Sequence, residues 1–137
     1  MKDTLVSYET ASSLREVGFN EITDYYYPVG GNEHEPIRTT DYWNMYGSVI
    51  ACPTQSFAQK WLRDFKQIFV YVENEYDNEN DAIRNDRFYW VFYTEIIANL
   101  DNESFDDEEI KYTTYEAALE VGLQAALNHL KNEQCKQ

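Results

Sequence analysis

Cys52 directly precedes Pro53 and Thr54, where a helical pattern begins, and a thiol at a helix N-terminus sits beside free amides and the positive end of the helix dipole. Both favour the thiolate. His34 is the residue that would serve as its base, so one expectation from residue types is a small enzyme using Cys52 or loop carboxylates. The competing reading is structural. Cysteine is among the most readily buried small apolar residues, and no glycine punctuation or sharp elbow accompanies Cys52. Carboxylate pairs such as Glu73 with Glu75, or Asp106 with Asp107, are of the right type for acid and base work, but their abundance in polar stretches favours solvated charge.

Metal and nucleotide chemistry find less support. Asp77, Glu79 and Asp81 alternate as in a calcium loop, yet Ala82 occupies the position of the obligatory glycine and Phe88 that of the bidentate glutamate. The pattern fails at its two strictest positions. The histidines, His34 and His129, and the cysteines, Cys52 and Cys135, show no paired zinc spacing, and none of the 5 glycines forms a phosphate-binding loop. No catalytic residue, metal ligand or cofactor is assigned.

The charge distribution carries more information. The 137 residues include 25 acidic and 11 basic side chains, a formal charge of −14, which on average repels nucleic acid and anionic membrane surfaces. A basic partner would be attracted. Two stretches concentrate the acid: Glu73, Glu75, Asp77, Glu79, Asp81 and Asp86 in the first, and Asp101, Glu103, Asp106, Asp107, Glu108 and Glu109 in the second. Both read as solvated loops flanking one strand. Against Arg84 alone, such a surface would imitate duplex phosphates and occupy the basic cleft of a nucleic-acid-binding protein. Lys60, Arg63 and Lys66 lie near Trp61 but read as a solvated helix surface.

The elements that position these residues follow from periodicity. Ser7 is placed to cap a helix over Tyr8 to Val17, with Val6 and Ala11 as a staple, Gly18 as a left-handed cap and Phe19 as its apolar plug. Asp24 to Val29 reads as a tyrosine-rich strand at an edge or ending at Pro28, and Gly30 to Asn32 as a turn. An exposed loop from Glu33 to Trp43 follows, then a strand from Tyr46 to Ala51. Thr54 opens a helix with Phe57, Ala58, Trp61, Leu62 and Phe65 on one stripe, and after Gln67 the period changes to that of a strand through Val72. Arg87 to Ile97 is the longest β-type run, apolar on both faces, and its simplest partner is Ile68 to Val72 in an antiparallel, long-looped hairpin. Thr113 with Glu116, or Thr114, caps a last helix to about Lys131, whose stripe holds Ala118, Leu119, Gly122, Leu123, Ala126, Leu127 and Leu130.

These readings give an α+β fold in one domain, ordered α-β-β-α-β-β-α, with an antiparallel sheet packed against helices. The absence of an apolar run of signal or membrane-spanning length, together with only two distant cysteines, predicts a cytoplasmic protein with free thiols.

The segments VSYETASSLREVGF, DYYYPVG, ACPTQSFAQKWLRDFKQIFVYV and TTYEAALEVGLQAALNHL together resemble small proteins of phage and prophage-like elements in gut Bacteroidetes. The resemblance spans nearly the full length and implies a genetic neighbourhood, with no activity, cofactor or site residue attached. The expected function is therefore that of a non-enzymatic accessory protein that binds another protein. The alternatives are an acidic DNA mimic that inhibits a host DNA-binding enzyme, the Cys52 or carboxylate enzyme, and a homo-oligomer built on the second face of the Arg87 to Ile97 strand.

Overall fold

The structure, a computed structural model, describes residues 4–29, 35–38, 49–94 and 112–135. They form an α+β fold in the order α1 (Tyr8–Glu16), β1 (Tyr25–Pro28), β2 (Ile37–Arg38), β3 (Val49–Cys52), α2 (Gln55–Lys66), β4 (Ile68–Asp77), β5 (Ala82–Thr94) and α3 (Tyr115–Cys135). Two compact units arise, one from residues 1–58 with 127–137 and the other from residues 59–126. Each has its own antiparallel sheet.

In the first unit, Ser7 caps α1 by accepting from the Thr10 amide at 3.2 Å, and both orphan bonds at the other end are closed. The Phe19 amide reaches the Leu14 carbonyl at 2.9 Å and the Gly18 amide reaches that of Arg15 at 3.1 Å, with Gly18 at φ 103°. This is the glycine-terminated Schellman arrangement that the sequence predicts. Val6, Ala11, Leu14, Val17 and Phe19 are all buried.

The sheet order is β2-β1-β3. The two strands read from the sequence, β1 and β3, pair antiparallel from Tyr25 opposite Cys52 to Pro28 opposite Val49. The strand β2 departs from the sequence reading, since Ile37 and Arg38 lie in a stretch read as loop yet pair with Tyr26 and Tyr25. Consequently β1 is flanked on both sides, and it tolerates Pro28 because β2 reaches only its first two residues. The N-terminal segment then pairs antiparallel with the residues that follow β3. Val6 donates to the Pro53 carbonyl at 3.0 Å, while its own carbonyl accepts the Tyr27 hydroxyl at 2.7 Å and the Cys52 thiol at 3.6 Å. At the C-terminal end of α3, Lys131 Nζ donates to Ser13 Oγ at 3.1 Å and pairs with Glu16 at 3.4 Å. Helix α3 continues past this anchored lysine to Cys135, beyond the end near Lys131 that the sequence predicts.

In the second unit, β4 and β5 form the expected antiparallel hairpin, with Val70 opposite Phe92 and Val72 opposite Trp90. Its connection is much shorter than the sequence suggests. The acidic run predicted as a loop from Glu73 to Asp86 instead continues both strands, leaving only residues 78–81 between Asp77 and its partner Ala82. The pairing shifts between Asn74 and Tyr76, and Asp81 takes the left-handed conformation, φ 51°, that aspartate tolerates in turns. Glu73 and Asn74 on one strand of this extension and Ala82 and Ile83 on the other are exposed, and the run shows none of the apolar alternation by which a sequence reveals a half-buried strand. On its other side β5 exchanges two backbone bonds between Phe88 and Tyr112, at 2.8 and 2.9 Å.

Ile68, Val70, Trp90 and Phe92 share the covered face of this hairpin and are buried with Ala118, Leu119, Leu123 and Ala126 of α3. Trp90 stacks on Phe92 at 5.9 Å. Helix α3 starts behind Thr114, whose hydroxyl accepts from the Ala117 amide at 3.1 Å, so Thr114 rather than Thr113 is the cap. On α2, Trp61 and Leu62 are buried as expected, and the Gln59 side-chain amide donates to the Val70 carbonyl, which covers part of the β4 edge. Phe65 departs from the predicted stripe, lying 62% exposed in the last turn with its ring 5.9 Å from that of Trp61.

The predicted turn at residues 30–32, His34, residues 39–48, the end of the Arg87 to Ile97 strand and the whole second acidic stretch lie outside the described residues.

Two substitutions test the backbone constraints of the second unit. A Cβ on Gly122 would stand 2.8 Å from the Trp90 Cβ and 3.2 Å from Val70 Cγ1. Gly122→Ala should therefore lose about 1–3 kcal/mol by overpacking, more than its helix-propensity gain of up to about 1 kcal/mol. Gln67, which joins α2 to β4 at φ 54°, has the opposite problem. Gln67→Gly should gain up to about 1 kcal/mol by relieving that conformation. Urea unfolding of both variants decides: a neutral Gly122→Ala would show that α3 and the hairpin separate easily.

Candidate functional site

One concavity of the first unit is built on a row across its sheet. Arg38 of β2, Tyr25 of β1 and Cys52 of β3 stand directly beside one another in register, so their side chains share a face. Arg38 is oriented by Tyr25 in two ways: its Nε donates to the phenol oxygen at 3.1 Å, and its guanidinium carbon lies 5.8 Å from the ring centre. Ahead of the row, Thr23 is buried and its hydroxyl donates to the Tyr25 carbonyl at 2.6 Å, which fixes how residues 22–24 enter the strand.

Beyond Cys52 the chain passes through Pro53 into α2. Thr54 caps this helix, accepting from the Phe57 amide at 3.2 Å, and pairs across a short bridge with Leu5. The Thr4 carbonyl accepts the Gln55 amide at 2.7 Å, so one of the first free amides of α2 is already satisfied by the N-terminal segment. The result is an open groove of about 600 Å³ lined by Leu5, Ile22, Thr23, Asp24, Tyr25, Arg38, Cys52, Pro53, Thr54 and Phe57. Its apolar walls are unusually exposed. Ile22 is 86% accessible and Phe57 42%, although the Phe57 ring also meets Phe19 edge-on at 5.8 Å. Phe57 lies at the rim of the apolar arc of α2, which is why it leaves the buried set in which the sequence places it.

This lining can hold an apolar group between Ile22 and Phe57 and a polar one near Asp24 or Arg38. It assembles no nucleophile and base among the described residues. Cys52 borders the groove, but its side chain is buried, 1% exposed, and its thiol donates to the Val6 carbonyl, which is the placement of a small core residue. The histidine proposed as its base, His34, lies outside the described residues.

The acidic residues singled out in the sequence fall differently. Glu73 is exposed on β4 and accepts the hydroxyl of Tyr89, its cross-strand partner. Glu79 and Asp81 are exposed in the turn at the tip of the hairpin, with Glu75 and Asp77 on β4 and Asp86 on β5. Asp101, Glu103, Asp106, Asp107, Glu108 and Glu109 lie outside the described residues. Among the described residues, no cluster of three or more histidine, cysteine, aspartate or glutamate side chains has the proximity to hold a metal ion. The bases of α2 make local contacts: Lys60 and Arg63 pair with Asp64 at 3.3 and 3.6 Å, and Lys66 lies over Trp61.

Ile22, Tyr25, Arg38 and Phe57 were not distinguishable as a site from sequence. Only the register of β1 with its two neighbours places Arg38 and Cys52 in one row. The chain matches no known protein family, no curated protein and no solved structure. No helix among the described residues is long and apolar enough to cross a membrane.

The burial of Cys52 has a direct readout. In a Cys135→Ser background, an aromatic disulfide reagent should label the native protein slowly and urea-unfolded protein at once, because Cys52 must first leave the core. Rapid labelling of the native form would instead return Cys52 to the list of candidate nucleophiles.

Proposed function

We propose that this chain is a non-enzymatic accessory protein of a phage or mobile element that acts in the cytoplasm by binding another protein. The observation that carries the reading is the groove of the first unit, where Ile22 and Phe57 remain exposed beside an Arg38 held by Tyr25. Single exposed apolar residues are ordinary on protein surfaces. Two that border one groove together with an oriented arginine have the character of an interface, since burial of aliphatic and aromatic groups supplies affinity and arginine supplies direction. The phage setting rests on the sequence resemblance alone.

A second reading is favoured by the hairpin tip. Glu79 and Asp81 are exposed there beside Ile83, which is itself 63% accessible, and the overall charge is −14. That combination suits a basic partner, including a nucleic-acid-binding enzyme whose cleft the acidic ribbon would enter.

One comparison separates the two. Immobilised protein is used to capture partners from lysate of a gut Bacteroidetes strain, in parallel with an Ile22→Glu variant and with a Glu79→Gln, Asp81→Asn double variant, each checked for native far-UV and near-UV circular dichroism. The groove reading expects a stoichiometric protein whose recovery falls at least tenfold with Ile22→Glu, resists added salt and survives the double variant. Loss with the double variant and release by moderate salt would favour the acidic ribbon, because only exposed charge is strongly screened. A captured set unchanged by either variant would overturn both.

A further inference from the structure

We draw no further inference here: the strongest candidate, the groove of the first unit walled by Leu5, Ile22, Pro53 and Phe57 beside Arg38, belongs to the site already described, and nothing in the structure shows what covers it.

Discussion

The second unit depends on how closely a helix can lie on a two-stranded sheet. A hairpin alone cannot bury enough surface to persist in water, so β4 and β5 need a cover for Ile68, Val70, Trp90 and Phe92. Helix α3 supplies it by replacing bulk with proximity. Gly122 lies directly against Trp90 and Val70, while Ala118 and Ala126, one turn away on either side, continue the small-residue strip. Leu119 and Leu123 then reach into the interior from beside that strip. The large indole and the missing side chain are two halves of one fit.

The first unit has a different organising interaction, the carbonyl of Val6. It accepts from Tyr27 and from Cys52, residues of two different strands, while the Val6 amide engages Pro53. A buried carbonyl left unpartnered would cost about 1–3 kcal/mol, so the segment before α1 is held in register by the sheet to which it bonds. That clamp also sets one wall of the groove, because Leu5 is fixed opposite Thr54. The groove is thus made by the same bonds that close the unit.

What could be read from sequence was local. Ser7, Gly18 and Thr54 announce helix ends through chemistry completed within five residues, and the pairing of Ile68 to Val72 with the aromatic strand follows from adjacent periodic runs. What escaped was either unburied or distant. The strand extensions through Glu73 and Asp77 are rich in charge and carry no apolar alternation, and β2 contributes only Ile37 and Arg38, too short to show any period. The row of Arg38, Tyr25 and Cys52 is created by register between separate segments, and no spacing along the chain encodes it. Cys52 illustrates the reverse: its position before α2 suggests a reactive thiol, and its depth in the sheet gives it a packing role.

The division of the chain has a consequence for the order of assembly. The second unit is continuous, whereas the first is completed by residues 127–137 after the other has been traversed. The bond from Lys131 to Ser13 joins positions 118 residues apart, and the entropic penalty for closing a chain loop grows with the logarithm of its flexible length. Prior folding of the inserted residues removes much of that flexible length. During vectorial synthesis, the hairpin and the start of α3 have all their own sequence available before Lys131 has left the ribosome. The contact of Lys131 with Ser13 and Glu16 is then among the last to form.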